Sequence, residues 1–165
     1  MQKLTCLIFA LALFVGCKDK KQTTVENTSD TVYFEYQKMP KKLEINPEVA
    51  AILEEWEEFK AFSNSLDVLY RATNNEDLSL AIDDLLEKEK EWGKGTYPEI
   101  FDTFQVKSRQ RVLRTCMLKV KASIINKTDT TQPTIEMIEA FNIIRKQFNI
   151  IMNSQLDTKL ILDAE

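Results

Sequence analysis

The sequence predicts an all-α protein, a four-helix up-and-down bundle over residues 46–165. Along most of this region apolar residues recur at spacings of three and four, which is the period of a helix buried on one face. Only residues 32–37 combine β-branched and aromatic residues in the manner of a strand. Residues typical of helix ends separate four helical segments, and the short connections between them favour antiparallel neighbours.

The first helix is predicted from Pro47 to Ala72. Asn46 suits its N-cap, and Pro47 suits its first turn. Asn75 is expected to cap a second helix. This helix should end near residues 93–95, where two glycines allow the left-handed turn that closes a helix.

The third helix is predicted from Tyr97 to about Asn126, because Thr96 and Glu99 have the spacing of a capping box. Apolar residues lie on two of its sides, the second of which includes Phe104, Leu118 and Ile125. A helix with two apolar sides is expected at the centre of its bundle. Pro133 suits the first turn of a fourth helix.

The N-terminus predicts an export signal that ends at residue 16. Lys3 supplies the positive charge, residues 4–15 the apolar core and Gly16 the small residue at the cut. A bilayer-spanning helix needs about twenty apolar residues, so this shorter core indicates a cleaved signal. The ending Phe14-Val15-Gly16-Cys17 resembles the lipobox of bacterial lipoproteins.

This resemblance implies that Cys17 carries fatty acyl chains such as palmitate and becomes the first residue of the mature protein. It also implies a lipid-anchored protein of the bacterial cell envelope. Lys18 follows the cysteine, where an aspartate commonly signals retention in the inner membrane, so the outer membrane is expected.

A flexible tether is predicted for residues 17–31, because this polar stretch contains too little apolar surface to fold. Residues 32–45 are predicted to form an extended arm. Two interpretations of the arm stay open. Its aromatic residues either pack on the helices or are offered to a partner.

The composition excludes several kinds of catalytic site. The chain has no histidine, which removes Ser-His and Cys-His pairs, common zinc sites and di-iron Glu-x-x-His motifs. With Cys6 in the signal and Cys17 lipidated, Cys116 remains alone, at an apolar position where an inert thiol is expected. Residues 17–165 contain 21 Lys and Arg against 26 Asp and Glu, a formal charge of −5 that argues against nucleic-acid binding.

The remaining candidates are charged groups. Glutamates 54, 55, 57 and 58 could bind a cation, although solvated surface is the simpler interpretation. Arg109 falls within an apolar stripe, and Asp67 is its candidate partner in a buried ion pair, or else Arg109 awaits an anionic ligand. No catalytic, metal or cofactor residue is assigned.

Two functions are carried forward. The first is a monomeric, lipid-anchored, non-enzymatic interaction module with an unknown protein partner. The second is a binder of a small anionic ligand or a cation in a bundle pocket.

Overall fold

A computed structural model describes residues 34–162, all within one compact unit of the chain. This part of the chain is helical and contains no β-strand, which confirms the all-α prediction. It has five α-helices where four were predicted: α1 Pro47–Glu54, α2 Glu57–Leu69, α3 Asn75–Lys94, α4 Phe104–Ile125 and α5 Thr131–Leu162. The predicted signal, Cys17, the tether and the first two residues of the arm lie outside the described residues.

The fifth helix arises because the predicted first helix is interrupted at Glu55 and Trp56. Trp56 leaves the helical conformation (φ −94°, ψ 89°) and is only 3% exposed. A salt bridge of 2.5 Å between Glu54 and Lys60 spans the interruption. No glycine or proline marks this position, so the local sequence does not reveal it. Tertiary packing accounts for the break, because it accompanies burial of the Trp56 ring among aromatic neighbours.

Two helix starts also differ from the predictions. Asn74 caps α3, accepting from the Asp77 N–H at 2.8 Å, in place of Asn75. Thr103 caps α4, and the predicted capping box of Thr96 and Glu99 is wrong, because residues 99–101 form a 3-10 turn. This turn buries Phe101 completely. The burial of one aromatic side chain thus delays the helix by several residues.

Consecutive helices from α2 to α5 pack on each other. The α3–α4 pair is antiparallel, since Glu89 pairs with Arg114 and Asp83 pairs with Lys121. Aromatic rings fill the core, and Trp56 lies near its centre. Its ring contacts those of Phe59, Trp92, Tyr97, Phe101 and Phe148.

The expected central position of the third predicted helix, now α4, is wrong. On its second apolar side, Phe104 is 73% exposed, Ile125 69% and Leu118 48%. Its buried side comprises Val106, Gln110, Leu113, Met117 and Val120. The α4 helix packs on α3 and α5 along one face only.

Residues 34–46 run along the seam between α2 and α5 and contain a single 3-10 turn, Tyr36–Lys38. The Tyr70 hydroxyl at the end of α2 donates to the Pro40 carbonyl at 2.5 Å. On the other side, Asn142 of α5 donates to the Lys41 carbonyl at 2.9 Å and accepts from the Leu43 N–H at 2.7 Å. This described part of the arm is therefore held by both helices.

Candidate functional site

A cleft of about 640 Å³ opens where α1 meets α2 and faces the connection that follows α3. Aromatic and aliphatic side chains form its wall, and three glutamates form its rim. We call it the Trp56 cleft. Its lining residues are Ala51, Ile52, Glu55, Trp56, Glu57, Glu58, Thr96, Tyr97 and Pro98.

The helix interruption creates this cleft. By turning Trp56 inward, it leaves Glu55 and Glu57 on either side of the indole, both exposed. The Tyr97 ring packs against Trp56 with the ring centroids 5.0 Å apart and the planes tilted by 59°. The rings of Trp56 and Tyr97 therefore form the aromatic part of the wall. The rim is acidic because glutamates flank Trp56 in the sequence.

Gly95 allows the wall and rim to approach closely. A Cβ atom at this position would lie 2.6 Å from Glu58 Oε1, which is closer than real Cβ atoms come to their neighbours. A side chain at position 95 would therefore push the Glu58 carboxylate away. The glycine that the sequence analysis assigned to helix termination also shapes the cleft.

The three rim glutamates form no salt bridge of their own in the described chain, and the nearby Lys60 ammonium offsets part of the charge of Glu55 and Glu57. Lys60 itself pairs with Glu54. The pKa of Lys60 is raised, first by its hydrogen bond to Glu54 and further by the charges of Glu54, Glu57 and Glu55, against an opposing effect of desolvation. The rim therefore attracts cations.

A polar network stands behind the aromatic wall. The Tyr97 hydroxyl donates to Gln110 Oε1, and Gln110 Nε2 donates to Glu89 Oε1 at 3.1 Å. Glu89 also accepts from Arg114 Nη1. Burial raises the pKa of Tyr97 to about 12, an effect that the hydrogen bond to Gln110 opposes. The tyrosine thus remains neutral at physiological pH, with its ring held in place by α4.

One donor at the cleft lacks an acceptor. In the described part of the chain, the indole N–H groups of Trp56 and Trp92 are buried without a hydrogen-bond partner. Only Trp56 of these two lines the cleft. An unpaired buried donor costs on the order of 1–3 kcal/mol, so Trp56 retains an unsatisfied polar group that is buried behind the surface of the cleft.

A second, smaller concavity of about 340 Å³ lies between the arm, α1 and α2 and includes Lys60 and Arg145. Both cations are already engaged. Lys60 pairs with Glu54, and Arg145 donates to the Leu43 carbonyl at 2.6 Å while lying over the Phe141 ring. This concavity therefore offers an anion fewer free cationic groups than its residue composition suggests.

The predicted pair of Arg109 and Asp67 is not formed. Asp67 pairs with Lys42 of the arm at 2.5 Å, and Arg109 donates to the Gln105 carbonyl of its own helix at 3.3 Å. Asp67 is on α2 and Arg109 is on α4. The helix between them in the sequence, α3, packs against both. Helical spacing places a residue on a face but does not identify the helix that this face meets. Neither residue lines the Trp56 cleft.

Cys116 is half-buried, and its pKa is raised, first by burial and then by the charge of Glu136. In residues 34–162, no group of three or more acidic, histidine or cysteine side chains is arranged to hold a metal ion. The Glu-rich segment around Trp56 was the sequence signal for the cleft. Glu54, Glu55 and Glu57 are exposed, in agreement with the solvated-surface interpretation, whereas the helix interruption between them was not predicted.

No known protein family, curated protein or solved structure matches this chain significantly. No helix in its described portion has the length and apolar character needed to cross a bilayer. The functional argument therefore rests on the chain's own residues.

Proposed function

We propose that this protein is a lipid-anchored, non-enzymatic interaction module of the bacterial cell envelope. In this proposal Cys17 carries the lipid and residues 17–31 act as the tether. Residues 34–162 form the helical domain that meets a partner. The Trp56 cleft, an aromatic concavity with an unpaired acidic rim, is the observation that carries the proposal.

Binding is favoured over catalysis by the groups that the cleft presents. Its wall supplies aromatic faces, and its rim supplies carboxylates. The chain has no histidine to activate a nucleophile, and burial raises the pKa of Cys116. The alternative of an anion binder has less support because the cations of the second concavity are engaged.

Replacement of Cys17 by Ser tests the anchor. We expect the Cys17→Ser chain to lose incorporation of a labelled palmitate analogue and to leave the membrane fraction, because the acceptor thiol is gone. Cys116→Ser is the matched control and should keep both properties. Separation of inner and outer membranes by density should place the labelled parent chain in the outer membrane. Label retained on Cys17→Ser would refute the proposed anchor.

A further inference from the structure

We propose that the Trp56 cleft binds the cationic side chains of a basic peptide segment on a partner protein. Lysine or arginine stems would lie against Tyr97 and the apolar side chains beside it, with their charged ends at the glutamate rim. This inference deepens the proposed function and rests on it, because it names the chemistry of the partner that the anchored domain meets.

Two properties of the cleft favour a charged end on an apolar stem. Its volume of about 640 Å³ lies in the range of ligand sites, roughly 300–1,000 Å³. The partly exposed Tyr97 and the aliphatic side chains beside it can cover the methylene groups of such a stem. Tyr97 already attracts one cation, since the Lys107 ammonium lies 5.1 Å from its ring centroid.

The rim supplies the complementary charge. Glu55, Glu57 and Glu58 form no salt bridge in the described chain, and they follow one another closely around the buried indole. Several carboxylates on one rim match several cations on one segment. Because the three glutamates do not form a metal-ligating group, an organic cation is the occupant to which the geometry points.

The unpaired indole N–H of Trp56 favours a peptide over a simple polyamine. A peptide brings carbonyl oxygens as well as cations, and a polyamine brings only donors. Side chains now cover the indole nitrogen, so a carbonyl reaches it after these side chains shift on binding. Such a shift would change the environment of the indole, which gives a direct spectroscopic readout.

Titration of the full chain in a non-ionic detergent with acetylated, amidated tetralysine tests the inference. Calorimetry on the parent chain measures the affinity. Trp92→Phe leaves Trp56 as the sole tryptophan, because the chain contains two. We expect saturable binding, a change in Trp56 emission, and weaker binding at higher salt because the rim charges are exposed.

Glu55→Gln, Glu57→Gln and Glu58→Gln together should weaken tetralysine binding roughly tenfold or more, since three counter-charges are lost. The matched control removes three exposed acids elsewhere, on α3: Glu76→Gln, Asp84→Asn and Glu87→Gln. This control has the same net charge and should stay within about twofold of the parent. Circular dichroism checks that each variant is folded.

Three results would overturn the inference: no binding by the parent chain, equal weakening in both triple variants, or spermidine binding as tightly as tetralysine. Lipidation at Cys17 is measured separately in membranes. Failed tetralysine binding with intact labelling would therefore remove the cleft assignment and leave the anchor. Lost labelling with intact tetralysine binding would do the reverse.

Discussion

Glu89 is the buried carboxylate that links the core to the candidate site. It is 4% exposed and accepts hydrogen bonds from Gln110 and Arg114 of α4. A buried carboxylate is costly unless it is paired and hydrogen-bonded. Gly93 makes room for this arrangement, since a Cβ atom there would lie 3.0 Å from Gln110 Nε2. Through Gln110, the same network fixes Tyr97 in the wall of the cleft.

Tyr97 should make the stability of the protein fall at high pH. Burial raises its pKa to about 12 in the folded state, whereas the unfolded chain ionises near pH 10. Below pH 10 both states keep the proton, so this group adds no pH dependence. Between about pH 10 and 12 the unfolded state loses the proton first, and the free energy of unfolding decreases.

Tyr97→Phe should remove this part of the decrease. The variant also loses the hydrogen bond to Gln110, which costs about 1 kcal/mol at neutral pH. Denaturant unfolding of parent and variant at pH 8 and near pH 11 provides the comparison. Tyr70→Phe is the comparison, because burial also raises the pKa of Tyr70 and this variant removes a half-buried hydroxyl outside the cleft. Equal losses in the parent and Tyr97→Phe would contradict the assignment.

At the scale of elements, two asparagines of α5 hold the arm. Their side chains form hydrogen bonds with its backbone, as a neighbouring strand would in a sheet. Asn142 bonds the backbone of Lys41 and Leu43. Asn149 donates to the Glu44 carbonyl at 3.1 Å and accepts from the Asn46 N–H at 3.0 Å. The helix thereby satisfies backbone groups of an extended segment that has no neighbouring strand in the described chain.

Asn142→Ala with Asn149→Ala should release the arm while the helices remain folded. Four backbone bonds are lost, so trypsin should cut after Lys41 or Lys42 at least several-fold faster than in the parent. Gln147→Ala on the same helix is the control and should leave the rate unchanged. Mass spectrometry of the fragments identifies the cut. An unchanged rate in the double variant would show that the asparagine bonds are not what holds the arm.

At the scale of the whole molecule, stability comes from aromatic packing between helices. Phe148 of α5 is fully buried and contacts Trp56, Phe59 and Phe101. Its contact with Phe101 has a centroid distance of 4.5 Å. These residues come from three separate parts of the chain. The core that fixes α5 therefore also fixes the helix interruption and the wall of the cleft.

Phe148→Ala should cost about 3–5 kcal/mol of stability, because it leaves a large cavity in the core. Phe104→Ala provides a control of the same chemistry, since Phe104 is 73% exposed, and should change stability by less than about 0.5 kcal/mol. Urea unfolding followed by circular dichroism measures both. Similar losses in the two variants would contradict the packing described for α4 and α5.

Local residue patterns predicted the helical class and the approximate spans of most helices. The apolar spacing that identifies Phe141, Ile144 and Phe148 on α5 repeats along one helix and needs no knowledge of distant residues. The lipobox-like ending at Cys17 is likewise a local signal and remains a prediction. The cap of α3 moved by one residue, from Asn75 to Asn74, whereas the cap of α4 moved from Thr96 to Thr103, because residues 99–101 form a 3-10 turn that buries Phe101.

Only the tertiary structure decided which faces meet. A continuous helix and an interrupted one are both compatible with the spacing of Leu53, Trp56 and Phe59, and burial of the indole among rings from other helices selects the break. Arg109 and Asp67 looked complementary on helical faces that do not meet. The local sequence therefore predicted the helical period, the charge of the helices and the approximate position of most helix ends. Contacts between residues far apart in the chain determined the Trp56 cleft, because its wall and rim come together only after the helices pack.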